Sequence, residues 1–394
     1  MCETKKRNLT VAVVTSSRAE FGLLKGVINE ILLQQLKLML LVTGTHLSSA
    51  HGSTITEIEA SGYEVSFCFD ILENNPSPRI ETVFAKTISL FGEFFSSHHP
   101  DIIVLLGDRY EILAVALAAA FGGIPIAHIS GGDLTEGALD DAFRHSITKL
   151  STLHFTSTEV YRKRVIQLGE MPDRVFNVGA LGVENIKKLS LQTREELTKS
   201  IGFNLSQRFI LSTYHPETAS GSNVAIDIDN LLSALLTIGL PVLFTRSNAD
   251  TGSDIINTKI EAYCKEHKDC LVVDSLGSNR YLNTMRYASA VVGNSSSAIV
   301  ECPTFFVPVV NISSRQKGRV MSEAVINCDG DSVSILLAIE KALSPKHLNY
   351  IKSIENPYEG EDVAKKIVEN IIRYIETNPN RLKSFYDIPF EVSI

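Results

Sequence analysis

The 394-residue sequence predicts an α/β protein built from two doubly wound parallel-sheet domains. Three observations carry this. Short runs that are apolar on both faces alternate with helical segments, as parallel strands buried between helix layers require. Several of these runs end in Gly and polar residues, the place where open α/β sheets bind ligands. The alternation stops in a charged, Ser/Thr-rich stretch at residues 185–207 and then restarts. A chain of this length also exceeds one ordinary core.

In the first half, residues 9–14 (LTVAVV) read as a strand, followed by the turn Thr15-Ser16-Ser17-Arg18 and a helix over 20–33. Residues 36–42 form the next strand, ending at Thr43-Gly44-Thr45-His46. The Gly-bearing stretch 51–66 reads as mobile, 74–79 (NNPSPR) as a loop and 80–95 as a helix. Then comes the stretch that organises the chain: strand 102–106, Gly107-Asp108-Arg109, helix 112–121, strand 124–129 and Ser130-Gly131-Gly132-Asp133. Helix 141–150, strand 153–157, helix 159–168 and strand 175–179 close this half.

The second half repeats the logic without an obvious sequence repeat. Strands are expected at 209–213, 241–245, 271–273, 290–293 and 307–312. Helices are expected at 223–238, 254–267, 281–287, 332–343 and 361–376, with one more opening at Asn294-Ser295-Ser296-Ser297. Two such domains face to face set a cleft between two rows of strand ends, a common ligand position.

Composition excludes several classes. A hydrophobic share of 44% and a charged share of 21% are those of a soluble globular protein. The net charge of -8 and the lack of a long basic run argue against a nucleic-acid surface, leaving room for a local phosphate pocket. Cysteines at 2, 68, 264, 270, 302 and 328 include no CxxC and read as reduced, mostly buried cytosolic thiols. No apolar run approaches the ~18 residues that span a bilayer, and the first is too short for a signal peptide. The expectation is a cytoplasmic protein without membrane or nucleic-acid partners.

Asp108, Arg109, His128, Asp133, Glu136, Asp140, Asp141, Arg144 and His145 fall in one short stretch at strand ends. Crowded carboxylates raise one another's pKa, which suits a general base for a weakly acidic C–H bond. The plain alternative is turn formation and helix starts by Asp. Ser295 and Ser296, between a strand and a helix, suit phosphate or serve only as an N-cap. Glu301 either holds a ribose diol or faces solvent. His215, at a strand end, is a catalyst or a satisfied polar residue. Arg18 pairs with phosphate or with neighbouring Glu20. There is no Walker motif, no HExxH and no complete GxGxxG after the first strand, which disfavours an ATPase, a zinc peptidase and a nicotinamide enzyme.

In combination the motifs are specific. Ser17-Arg18-Ala19-Glu20, Leu106-Gly107-Asp108-Arg109-Tyr110-Glu111, the run from His128 to Leu150, Tyr214-His215-Pro216-Glu217-Thr218, Ser247-Asn248-Ala249-Asp250-Thr251-Gly252, Gly293-Asn294-Ser295-Ser296-Ser297 with Glu301, Arg315-Gln316-Lys317-Gly318-Arg319 and Phe385-Tyr386-Asp387 cover nearly the whole chain. Together they resemble the hydrolysing UDP-N-acetylglucosamine 2-epimerases of sialic-acid-type pathways. The resemblance implies a GT-B architecture, two Rossmann-like domains: residues 1–183, completed by the C-terminal region 365–394, and residues 184–364, which would bind UDP.

It also implies the chemistry. UDP is eliminated from a UDP-2-acetamido sugar to leave a glycal, and hydration inverts C2, with no metal or other cofactor. Asp108, Asp133 and Asp140 would form the acid/base set, and His215 would support the departing diphosphate. Arg18, Ala19, Arg109 and His145 would hold substrate. Ser295 and Ser296 would bind the diphosphate, Glu301 the ribose, with Asn248 and Arg315 nearby. A homodimer or homotetramer is implied, packed through the helices after Gly22 and Ile80.

The chain departs from the family pattern on the sugar side. Ser130 stands where several members have a catalytic Glu, so Asp133 or Glu136 would supply that carboxylate. Leu23 stands where some have Lys, and residues 137–139 look one residue longer than in the animal enzymes. These changes fit the bacterial branch, which includes enzymes for UDP-2,4-diacetamido-2,4,6-trideoxyglucose in legionaminic acid synthesis. A GT-B glycosyltransferase and a non-catalytic UDP-sugar sensor are the competing readings.

Overall fold

Thr10–Thr15 forms β1, an interior strand of a seven-stranded sheet, with every residue after Thr10 buried. The computed structural model describes residues 9–49, 53–73, 79–136, 138–217, 223–247, 252–377 and 382–389. The chain divides into two units. One comprises Met1–Asp133, Asp140–Glu184 and Gly360–Ile394; the other comprises Leu134–Leu139 and Asn185–Glu359.

In the first unit β1 is followed by α1 (Arg18–Leu33), β2 (Lys37–Thr43), α2 (Ile55–Ala60), β3 (Phe67–Phe69), α3 (Ile80–Ser97), β4 (Ile102–Leu106), α4 (Tyr110–Phe121) and β5 (Ile126–Ile129). Then come α5 (Asp140–Leu150), β6 (Leu153–Thr156), α6 (Glu159–Gln167), β7 (Val175–Asn177) and α7 (Leu181–Lys187). The sheet order is β3-β2-β1-β4-β5-β6-β7 with every pairing parallel. β4 and β5 are wholly buried, so the apolar run of β4 and that of β5, interrupted only by His128, reflect helices on both faces. The chain reverses its direction of winding between β1 and β4, and the ends of those two strands form the switch point.

The stretch 51–66, expected to be mobile, holds α2 in its described part, and β3 follows it. β3 has only three residues at a sheet edge, too few for a periodic signal.

In the second unit α8 (Arg194–Ile201) lies within the charged stretch 185–207, which reads as a linker and a first helix, and opens with a full capping box, Thr193 with Glu196. β8 (Ile210–Thr213), α9 (Val224–Ile238), β9 (Val242–Thr245), α10 (Ser253–Glu266), β10 (Leu271–Val273), α11 (Gly277–Tyr287), β11 (Ala290–Gly293) and α12 (Ser296–Glu301) follow. β12 (Val309–Ile312), β13 (Val325–Cys328), α13 (Ser332–Leu343) and α14 (Pro345–Tyr350) complete it. The order β10-β9-β8-β11-β12-β13 is again all parallel and reverses at β8 and β11. β13, another edge strand, is absent from the sequence reading.

The last helix, α15 (Val363–Thr377), belongs to the first unit. Its stripe Val363, Ile367, Val368, Ile371 and Tyr374 is buried with Val27, Ile28 and Ile31 of α1. Removing one such side chain, as in Ile367→Ala, costs about 2–5 kcal/mol. Of the five described cysteines only Cys270 and Cys302 are buried, and Cys68 is exposed, so the expectation of mostly buried thiols is too strong. No described helix is long and apolar enough to cross a membrane.

Candidate active site

The first unit gathers its polar side chains on the carboxyl ends of β1, β4 and β5. Gly107 turns the chain at the end of β4 with φ +81, a conformation that L side chains rarely adopt. Asp108 follows it and pairs with the Arg144 guanidinium. Arg144, on α5, is 2% exposed; its Nη1 also donates to Asp141 Oδ1 at 3.1 Å and to the Asp133 carbonyl at 2.9 Å. Arg144 thus ties β4, the loop after β5 and the first turn of α5 together. Asp140 is the first residue of α5, one position before Asp141. His145 Nε2 lies 3.5 Å from Asp141 Oδ2; burial holds its pKa below the usual histidine value, against the pull of Asp141.

His128 on β5 is fully buried, its Nε2 2.8 Å from the Gly107 carbonyl and its Nδ1 3.2 Å from Thr148 Oγ1. Burial lowers its pKa to about 3, so it is neutral and structural, bracing the turn that presents Asp108. Ser130 takes a left-handed conformation with φ +66. Asp133 is buried with the Arg144 group. Glu136 belongs to the second unit, where it is exposed and pairs with Lys317 at 2.9 Å.

Arg18 opens α1, with Ala19 exposed beside it. Its partner is Glu57, at 2.5 Å, rather than the neighbouring Glu20. Glu20 turns inward to Ser16, and burial lifts its carboxyl to about 7, helped by Glu111 and opposed by Arg109. Arg109 Nε donates to Glu111 Oε1 at 2.5 Å, and that carboxylate raises the arginine pKa further. Glu20, Glu111 and Arg144 all sit in the quoted motifs, yet sequence reasoning gave none of them a role. Only their burial singles them out.

The second unit builds a different site on β8 and β11. Gly293 ends β11 against β8: a Cβ there would lie 1.9 Å from the Thr213 carbonyl oxygen, so only Gly fits. Asn294, fully buried, accepts from His215 N–H at 2.7 Å and donates to the His215 carbonyl at 2.8 Å. Its own carbonyl accepts from Gln316 Nε2 at 2.9 Å and Arg315 Nη1 at 3.3 Å. The Glu217 carboxylate accepts from the backbone N–H groups of Ser314 and Arg315 at 2.9 and 3.0 Å and so shapes the loop that carries Arg315.

His215 Nδ1 lies 3.2 Å from Ser247 Oγ, and burial, with Arg315 nearby, lowers its pKa to about 3. Ser295 occupies the N-cap position of α12, but its hydroxyl makes no capping bond; Ser296 is the first helical residue. Ser297 Oγ donates to Glu301 Oε2 at 2.6 Å, and burial raises Glu301 to about 7. Asn248 lies outside the described residues.

The sequence matches the family model described as UDP-N-acetylglucosamine 2-epimerase over residues 32–372. It is 40% identical over 383 residues to polysialic acid biosynthesis protein P7 of Escherichia coli, covering 96% of this chain and 97% of that one. It is 37% identical over 382 residues to the GDP/UDP-N,N'-diacetylbacillosamine 2-epimerase (hydrolyzing) of Campylobacter jejuni, covering 96% and 99%. In fold it matches the UDP-GlcNAc 2-epimerase of Methanocaldococcus jannaschii, with a TM-score of 0.78 at 17% identity, over 93% of this chain and all of that one. Two doubly wound units, with an arginine-bound acid cluster in one and a hydroxyl- and amide-rich strand end in the other, thus accompany an unbroken sequence match: this chain belongs to the UDP-N-acetylglucosamine 2-epimerase family.

Proposed function

We propose that this protein is a hydrolysing UDP-sugar 2-epimerase that converts UDP-N-acetylglucosamine and water to N-acetylmannosamine and UDP. A carboxylate of the first unit takes the proton from C2 as the C1–O bond to UDP breaks, leaving a 2-acetamidoglycal. Water then adds its hydroxyl to C1, and a proton returns to C2 on the opposite face. Asp108 and Asp140 carry the proton transfers, and Asp133 stands in for the family Glu. Arg18, Ala19, Arg109 and His145 hold the sugar side of the substrate.

In the second unit Ser295 and Ser296 take the diphosphate and Glu301 the ribose, with Asn248 and Arg315 close by. His215, neutral at physiological pH, supports the leaving diphosphate as a hydrogen-bond donor. The observation that carries the reading is the grip of buried Arg144 on Asp108, Asp141 and the Asp133 carbonyl at the strand ends. Such a grip fixes carboxylates in place, and positioned acids and bases contribute about 10²–10⁴-fold to proton-transfer steps.

A second reading keeps the reaction and changes the sugar to UDP-2,4-diacetamido-2,4,6-trideoxyglucose. Ser130 in place of Glu supports it, as does the 37% identity to a relative named for diacetylbacillosamine. NMR of each UDP-sugar with the protein in heavy water separates the two. Deuterium at C2 with release of UDP identifies the substrate, and a product still bound to nucleotide overturns the hydrolysing reaction. Asp108→Asn lowers turnover by about 10²–10⁴-fold; full turnover of that variant removes Asp108 from the acid/base set. The reading includes a homodimer or homotetramer, which sedimentation measures.

A further inference from the structure

Behind the proposed acids, the β1/β4 switch point holds two further carboxylates. Glu20 on α1 and Glu111 on α4 are 8% and 2% exposed. Both reach one hydroxyl. Ser16 Oγ lies 2.9 Å from Glu20 Oε2, 3.1 Å from Glu20 Oε1 and 3.1 Å from Glu111 Oε1. The Ser16 N–H also donates to Glu20 Oε2, at 2.8 Å. Arg109 Nε donates to Glu111 Oε1. The second Glu111 oxygen is buried with no hydrogen-bond partner among the described residues.

The donors do not add up for two ionised carboxylates. A serine hydroxyl has one proton to give. If both acids are charged, one of them meets Ser16 Oγ lone pair to lone pair in a buried place, which is costly. One added proton resolves this. Glu20 as a carboxylic acid donates to Ser16 Oγ, and the Ser16 hydroxyl donates to Glu111 Oε1. Arg109 Nε–H donates to that same Glu111 oxygen. The charge stays on Glu111 because Glu111 is the acid that holds the guanidinium.

We propose that Glu20, Ser16 and Glu111 form a one-proton chain that fixes the orientation of Arg109 beside Asp108, making Glu20 and Glu111 positioning residues for substrate at the strand ends of the first unit. The claim rests on the proposed function only in taking Arg109 as a substrate contact. The groups facing the Glu20 carboxyl are Ser16 from the end of β1, Glu111 from α4 and Arg109 from the turn before α4. The elevation of Glu20 to about 7 agrees with the donor count.

The test has two independent arms. In the first, infrared spectra of the ligand-free protein are recorded across pH. A protonated carboxyl band that titrates near pH 7 is expected, and it is missing from Glu20→Gln. If wild type and Glu20→Gln show the same carboxyl bands, the chain is overturned, whatever the substrate proves to be.

The second arm is kinetic, with whichever UDP-sugar is turned over. Glu111→Gln and Glu20→Ala each raise KM by about tenfold or more, with a smaller change in kcat, as expected for a lost bond to a charged group. Glu20→Gln, whose amide still donates to Ser16, recovers most of that loss. It also abolishes a rise in KM that the wild type shows above about pH 7, where Glu20 loses its proton. Unchanged KM in both Glu111→Gln and Glu20→Ala overturns the positioning role. Should Glu111→Gln fail to fold, Glu20→Ala against Glu20→Gln decides alone. If wild type turns over no UDP-sugar, the functional reading has failed, and the infrared arm still decides the chain.

Discussion

The two units end their central strands in opposite ways. In the first, charge meets charge: Arg144 holds Asp108 and Asp141, and Arg109 holds Glu111. In the second, the same topological position is built around the neutral Asn294 and His215, with the Arg315 guanidinium on the Asn294 carbonyl. Asn294 bridges both backbone groups of His215, and the imidazole is kept neutral by burial. The buried Glu217 carboxylate is spent on the backbone N–H groups of Ser314 and Arg315 and on the Ser314 hydroxyl. One fold therefore carries paired charges at one set of strand ends and mainly amide, imidazole and hydroxyl groups at the other, because the side chains after each strand set the local charge independently of the sheet. Both units also hold a carboxyl near pKa 7. Glu20 is lifted by burial and a second acid, whereas Glu301 is lifted by burial, with the Ser297 hydroxyl pulling the other way.

Four measurements press on this contrast. The largest effect is expected from Arg144→Ala. It strips the guanidinium from buried and half-buried partners and should cost about 3–5 kcal/mol in denaturant unfolding, with loss of UDP release. Wild-type stability in that variant would show that the first unit does not depend on its paired charges.

Asn294→Ala should cost about 2–4 kcal/mol by leaving two buried backbone groups of His215 unpaired. Because the Asn294 amide bonds only backbone groups of His215, that loss should be the same at pH 5 and pH 8. A strongly pH-dependent loss would break the contrast between the units.

Glu20→Gln comes next. The folded protein holds the Glu20 proton more tightly than the unfolded chain, about 7 against 4.5. Its stabilising contribution is therefore complete below pH 4.5 and lost as pH rises through 7. Relative to wild type, Glu20→Gln should gain up to about 3 kcal/mol between those limits, at about 1.4 kcal/mol per pKa unit. Thermal unfolding of both proteins across pH measures it, and parallel curves would place Glu20 in an ordinary environment.

The smallest effect concerns Glu301. If its carboxylate accepts the ribose hydroxyls, UDP should bind up to about tenfold more weakly one unit below its pKa of about 7, as the group protonates. Calorimetry of UDP binding at pH 6 and pH 8 checks this, and Glu301→Gln should flatten the dependence.

Much of this arrangement was legible beforehand. The buried strands β1, β4, β5, β8, β9 and β11 announce themselves as short apolar runs, and the turn residues after β4 and β11 mark the strand ends at which open α/β sheets commonly bind ligands. The misses have physical causes. β3 and β13 are edge strands too short to show a period, and α2 lies in a polar stretch with one buried residue. Glu136 looked like a member of the acid cluster because it is near in sequence, yet it pairs with Lys317 in the other unit. Arg18 looked like a partner for Glu20, but Glu20 points inward to Ser16 and Arg18 reaches Glu57.

The sequence by itself determined the class of fold, the two rows of strand ends and the family, because periodicity and motif order are local properties of a chain. Which acids share a proton, which are neutralised by an arginine and which histidines stay neutral was decided only by the tertiary structure. Charge state depends on burial and on neighbours distant in sequence: Ser16 with Glu111 and Asp108 with Arg144 meet only once the sheet has formed.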